Sequence, residues 1–164
     1  MITYVLTLSE NFPSFHPKHG EPTRFNESLT EALLEERGMQ PLNSRRKRHT
    51  IRANYEFWSK RFEKIAAGKA VLSVRQWVGK PYGKGSTQKE LALLTRLDGI
   101  GIQRLDFVRQ HLCHPRIDGK ATDKGTYRKL AQNDGLTEEE WLCWFREYDL
   151  SHPMAIIHFT SFRY

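Results

Sequence analysis

The segment Arg45-Arg46-Lys47-Arg48-His49-Thr50-Ile51-Arg52 puts one amine, one hydroxyl and four guanidinium groups within eight residues. Lys47 stands between arginines, and nearby like charges favour the neutral amine. A neutral lysine is a general base, and a threonine hydroxyl three residues on is a nucleophile that such a base can activate. In an extended segment, positions three apart point to opposite faces. Lys47 and Thr50 therefore meet only if the chain turns or bulges between them. The alternative is charge alone, with Arg45, Arg46, Arg48 and Arg52 gripping phosphates.

Charge is unevenly distributed along the chain. The net charge is +7 over 164 residues, yet Arg45 to Lys89 alone carries +11, and Leu130 to Leu150 carries −5. A concentrated positive surface raises the local concentration of polyanions, of which nucleic acid is the commonest. Arg75, Lys80 and Lys84 extend the basic stretch, and Trp77 and Tyr82 beside them offer stacking surfaces for bases. No long basic amphipathic helix is present to lie on a membrane.

Other chemistries lack their residues. His111, Cys113 and His114 in QHLCHPR, and His16 and His19 in HPKH, have no zinc-site spacing, so no metal or cofactor is expected. No GxxxxGK[ST], GxSxG or GxGxxG pattern occurs, and the Gly-Lys pairs of GKPYGKG do not make a phosphate loop. Two cysteines, Cys113 and Cys143, suit a reducing cytoplasm. The opening ITYVLTL is too short and too alternating for a signal peptide or a membrane span.

The elements that must position these groups follow from periodicity. Residues 2–8 alternate as a strand, and the Pro-, Gly- and Ser-rich stretch after them is a loop. Asn26 is the expected cap of a helix over 27–37 that stops at Gly38. HTIR (49–52) reads as a short strand. Asn54 caps a second helix ending at Gly68, whose Tyr55, Trp58, Phe62 and Ile65 form an apolar stripe for docking on a core. Residues 70–77 read as a strand, 79–86 as an extended basic loop, and 87–97 and 100–109 as two strands joined in a hairpin at Asp98-Gly99. A polar linker covers 114–125, Thr137 and Glu140 form a capping box opening a helix, and MAIIHFTSF closes the chain as a strand. The expected fold is one α+β domain over 1–164: a small, mostly antiparallel β-barrel with flanking helices.

The run RRKRHTIR, then GKAVLSVRQW, AQNDGLTEEEW and IIHFTSF, in that order, resembles the ASCH family, small β-barrels related in fold to the PUA RNA-binding domain. TLSENFPSFHPKHGEPTRF and RQWVGKPY resemble a subgroup of ASCH-like proteins common in phages. The family signature, a glycine-and-lysine segment ending in Thr-X-Arg, reads Lys47-Arg48-His49-Thr50-Ile51-Arg52 here, without the usual preceding glycine. The acidic-Gly-apolar-Ser/Thr motif reads Asp134-Gly135-Leu136-Thr137. The helix at about 54–67 is an insertion relative to the family.

The resemblance implies RNA binding in a cleft between barrel and helices. Some members remove the acetyl group from acetylated cytidine, and one has been described as a ribonuclease. In the amidohydrolases the signature lysine and threonine work with a glutamate at the acidic-Gly motif, which here is Asp134. Carried over, the catalytic candidates are Lys47, Thr50 and Asp134: Thr50 attacks the acyl carbon, Lys47 activates it, and Asp134 handles protons on the leaving amine. Asp134 is shorter than glutamate by one methylene, roughly 1.5 Å. Gln132 and Asn133 beside it could read a base edge. The expectations are therefore an RNA- or nucleotide-binding cleft, a hydrolase in that cleft, or an interaction protein that uses it for another ligand.

Overall fold

The computed structural model describes residues 1–164. Three strands, β1 (Ile2–Leu8), β3 (Ala70–Val78) and β4 (Thr87–Leu94), form one sheet in the order β1-β3-β4. Five more, β2 (His49–Ala53), β5 (Gly101–Phe107), β6 (Pro115–Ile117), β7 (Lys120–Ala121) and β8 (Met154–His158), form a second in the order β2-β8-β5-β6-β7. Every neighbouring pair is antiparallel except β1 and β3, which run parallel from Ile2↔Ala70 to Leu8↔Gln76. Four helices complete the α+β fold: α1 (Phe25–Glu36), α2 (Tyr55–Ala66), α3 (Thr126–Asn133) and α4 (Glu138–Phe145). No helix is long and apolar enough to cross a membrane.

One apolar cluster of 26 buried residues joins both sheets to the helices. Leu6, Leu8, Leu72 and Val74 face it from the first sheet, and Ile51, Leu105 and Ile156 from the second. β8 is buried along its whole length, which its unbroken MAIIH composition requires. Trp58, Phe62 and Ile65 of α2 are buried in the cluster and Tyr55 packs against it, so the aromatic stripe is core.

Two caps form as the residue types dictate. Asn54 accepts the Phe57 N–H at 3.1 Å, and Thr137 and Glu140 bond reciprocally at 3.2 and 2.8 Å. Helix α1 differs from its expected start. It begins at Phe25, capped by Arg24 in the left-handed region without a side-chain bond, because Phe25 is drawn into the core and Asn26 falls inside the first turn.

The hairpin at Asp98-Gly99 does not form. The Asp98 carboxylate accepts from the Thr95 N–H at 2.7 Å and the Thr95 hydroxyl at 2.9 Å, tightening Arg96–Asp98 into a single 3₁₀ turn. The chain leaves that turn into the other sheet, so β4 pairs with β3 while β5 pairs with β8 and β6. Helix α3 lies where no element was expected. Its only fully apolar anchors, Leu130 and Ala131, are two adjacent residues, too few to give a visible period.

Candidate functional site

Two segments 87 residues apart meet at the start of β2. The Lys47 N–H donates to the Ser28 carbonyl on α1 at 2.9 Å, and the Arg48 N–H donates to the Asn133 carbonyl at the end of α3 at 2.7 Å. Lys47 and Asp134 form an isolated antiparallel bridge, so Lys47 precedes the strand proper. No turn separates Lys47 from β2, yet Lys47 and Thr50 both line the same small cavity.

Asp134-Gly135 ends α3 as a Schellman turn, with the Leu136 N–H donating to the Ala131 carbonyl at 3.0 Å and the Gly135 N–H to that of Gln132 at 3.1 Å. Gly135 has φ +78°, and a Cβ there would lie 3.0 Å from Ser28 Oγ and 3.3 Å from Lys47 Cβ. A side chain at this position would push α1 and Lys47 apart, so the glycine is what lets the three elements touch.

Lys47 Nζ donates to Asp134 Oδ1 at 2.6 Å and to the Asp134 carbonyl at 2.8 Å, and lies 3.7 Å from the centre of the Phe25 ring. The side chains are only 1% and 4% exposed. Burial pulls Lys47 down to about 8, against the attraction of Asp134, and the same burial raises Asp134 above the usual carboxylate range. Burial disfavours the charged form of each partner, while their mutual attraction and hydrogen bond favour it.

Thr50 and Arg52, two apart on β2, form the second pair. Arg52 Nη1 donates to Thr50 Oγ1 at 3.1 Å and Nη2 to the Thr7 carbonyl at 2.6 Å. No hydrogen bond joins Lys47 to Thr50. Instead both pairs line one internal cavity of about 20 Å³, closed by Ser9, Phe25 and Trp144 among others. That volume is about one water molecule, and the walls are half polar, from Ser9, Lys47, Thr50, Arg52 and Asp134, and half apolar.

Lys47 gives a stability signature. Between about pH 8 and pH 10.5 the unfolded chain binds a proton at Lys47 that the folded chain has released, so stability from this group rises with pH. Below about 8 both states are protonated and the burial penalty is fully present. Denaturant titrations at pH 7.5 and pH 10 are expected to give a larger gain, or smaller loss, for the wild type than for Lys47→Met; equal changes would contradict a buried amine with a lowered pKa.

The arginines beside Lys47 have internal partners. Arg46 and Arg48 share Glu35 of α1 at 3.5 and 2.7 Å, and Arg48 also donates to Asn133 Oδ1 at 2.9 Å. Arg46 further donates to the carbonyls of Asn43 and Arg45. Arg45 reaches Glu140 at 3.4 Å, a carboxylate already held by Lys18 at 2.9 Å. The three arginines thus share two carboxylates, Glu35 of α1 and Glu140 of α4, the second also held by Lys18.

Asn133 is not free to read a base. Its amide donates to the Tyr164 hydroxyl at 3.0 Å, which bonds His49 Nε2 at 2.7 Å, while Gln132 remains exposed. His49 and the cross-strand His158 are buried and held neutral, His158 down to about 3 by burial.

The remaining basic candidates lie apart. Arg75 donates to Ser73 Oγ at 2.8 Å on β3, while Lys80, Tyr82 and Lys84 are exposed on the loop after it. The Trp77 and Tyr82 rings sit 4.9 Å apart and wall a cleft of about 410 Å³ against Thr7–Pro13. Ser9 lines both this cleft and the inner cavity, so the two spaces are neighbours. No group of three or more His, Cys, Asp or Glu side chains is placed to hold a metal ion. No family model matches the chain, and neither the curated proteins nor the solved structures compared with it contain a match.

Proposed function

We propose that this protein is an ASCH-type, PUA-like domain that takes a base of RNA, or of a free nucleoside, into the Trp77–Tyr82 cleft and hydrolyses an acyl–nitrogen bond on it. On this reading the two sheets are the halves of the family's small barrel, and the protein works in the cytoplasm. The observation that carries the chemistry is the convergence of Lys47, Asp134, Thr50 and Arg52 on one small cavity. Buried titratable pairs of this kind, with their charged forms disfavoured, are costly unless used. The cleft volume is within the range of small-molecule sites.

In the proposed reaction Thr50 Oγ1 bonds to the acyl carbon and its proton passes to neutral Lys47. Arg52, already donating to that oxygen, faces the developing oxyanion. Lys47 then gives the proton to the departing exocyclic amine, and Asp134 steadies the charge through its short bond to Lys47. A water then attacks the acyl-threonine as it gives a proton to the same lysine, and Lys47 returns that proton to Thr50 Oγ1 as the ester bond breaks, releasing the acid. Entry of an acyl group into a one-water cavity requires the exposed Ser9 segment to part.

A second reading, base binding without cleavage, is favoured by one observation: Thr50 is bonded to Arg52 and not to Lys47. The two separate on cytidine acetylated at its amine. Hydrolysis predicts cytidine release by the wild type with Lys47→Ala at background; equal rates would leave binding alone.

Binding itself has its own test. Trp77→Ala and Tyr82→Ala should each weaken single-stranded RNA binding by about 1–3 kcal/mol, the usual worth of an aromatic–base stack. Fluorescence anisotropy measures this, and wild-type affinity in both variants would exclude the cleft as the base site.

A further inference from the structure

A second groove, on the five-stranded sheet, has arginines that the fold itself does not use. It is about 750 Å³ in volume, lies between the start of α2 and the β5–β6 turn, and gathers Arg104, Arg109 and Arg116 beside Tyr55, Asp106 and Asp118. Both carboxylates are already occupied. Asp106 accepts from Arg104 Nε at 2.8 Å, and Asp118 accepts the Arg104 backbone N–H and the Gln103 amide, each at 2.9 Å. Arg116 stands directly across from Asp106 in the β5–β6 ladder, yet neither it nor Arg109 makes an ion pair.

The backbone that presents these groups is strained. Arg109 (φ 49°) and Gln110 (φ 56°) are consecutive left-handed residues, among only six non-glycine residues in the chain with positive φ; Asp118 (φ 52°) is another, but with Gly119 it makes the ordinary two-residue turn of the β6–β7 hairpin. Side chains with a Cβ hold that conformation only where the surroundings impose it, and such strain gathers at ligand clamps. Here the turn is pinned by Val108 N–H to the His114 carbonyl at 2.9 Å and by Phe107↔Pro115 pairing. Arg109 stands on this turn and Arg116 on β6 beside it, both exposed and without an ion pair.

The groove also lies close to the reactive cluster. Across the ladders Arg52 pairs with Ala155, and Ala155 with Arg104, so Arg104 is two strands from Arg52 on the same face. At usual strand spacing that is on the order of 10 Å.

We infer that this groove holds phosphates of the same RNA strand whose base enters the Trp77–Tyr82 cleft, so that the substrate is a modified base within a polynucleotide. The inference rests on the base-binding reading above and deepens it. Guanidiniums bind phosphate oxygens in a bidentate manner, and the groove bears no free carboxylate to repel them.

The test compares wild type with the double variant Arg109→Ala/Arg116→Ala on two probes: cytidine, and a single-stranded RNA of roughly 12 nucleotides, within the span such grooves cover. Both arginines are exposed and make no side-chain bond, so the variant keeps the fold. RNA affinity should fall, and the slope of log affinity against log salt should shrink by about 1.4, or 0.7 for each single-strand phosphate no longer neutralised. Cytidine binding should not change. An unchanged slope with RNA and cytidine both bound would overturn the groove alone. Failure of the wild type to bind either probe would overturn the base-binding reading and the groove with it.

Discussion

Lys47→Met is expected to destabilise the protein by about 3–5 kcal/mol, the cost of leaving one member of a buried ion pair alone. For a chain of this length that is a fall in Tm of roughly 6–20 °C, at about 2–4 °C for each kcal/mol. Methionine fills nearly the same volume and still packs on Phe25, so a cavity does not cause the loss. What disappears is the only ion-pair partner of a carboxylate that is 4% exposed, together with a donor to the Asp134 carbonyl at the end of α3.

The companion variant separates charge from shape. Lys47→Met combined with Asp134→Leu removes both charges at once, and apolar replacements of buried pairs are often neutral or stabilising. The double variant should recover most of the single-variant loss in thermal and denaturant unfolding. A single-variant cost below about 1 kcal/mol, the scale of a surface pair, would mean that the Lys47–Asp134 pair is not buried as described.

Thr50→Ala is expected to lower hydrolysis of acetylated cytidine by roughly 10³-fold or more while leaving the fold nearly intact. Arg52 loses one acceptor but keeps the carbonyls of Thr7 and Ile51, so the stability cost should be about 1 kcal/mol. Binding of cytidine should be little changed, because the cleft walls at Trp77 and Tyr82 do not involve Thr50. Thr50→Ser, which keeps the hydroxyl, should retain a substantial part of the rate. Initial rates at equal folded fraction measure both, and wild-type turnover by Thr50→Ala would remove Thr50 from the chemistry.

Local signals in the sequence carried the elements that have strong end chemistry. Asn54 and the Thr137–Glu140 box mark helix starts, and Gly68 and Gly38 mark stops, because caps are satisfied within a few residues. The hairpin at Asp98-Gly99 failed for the complementary reason. Asp-Gly is a turn signal, but β5 pairs with β6 and with β8, about 50 residues on, instead of with β4, and no local pattern encodes the pairing with β8. Helix α3 is similarly held by Leu130 and Ala131 packing on distant elements.

The site divides along the same line. Lys47, Thr50 and Asp134 were legible as residue types in recognisable order, and the cavity brings them together. The fate of Arg46 and Arg48 was not, since Glu35 sits on a helix whose placement against β2 depends on Gly135 and Ser28. A basic run read alone suggests a phosphate grip, and here one α1 acid, Glu35, pairs with two of its members. Cations without an ion pair lie elsewhere on the chain, among them Lys80 and Lys84 of the 79–86 loop, Arg109 and Arg116.

The most direct measurement is the mass of the protein after brief mixing with acetylated cytidine, followed by acid quenching and peptide mapping. The account predicts a transient acetyl group on Thr50 that is absent from Thr50→Ala and from a control without substrate, with cytidine released in parallel. Cytidine release with no acetyl adduct and an unaffected Thr50→Ala rate, or no release at all, would contradict a hydrolytic centre built on Thr50.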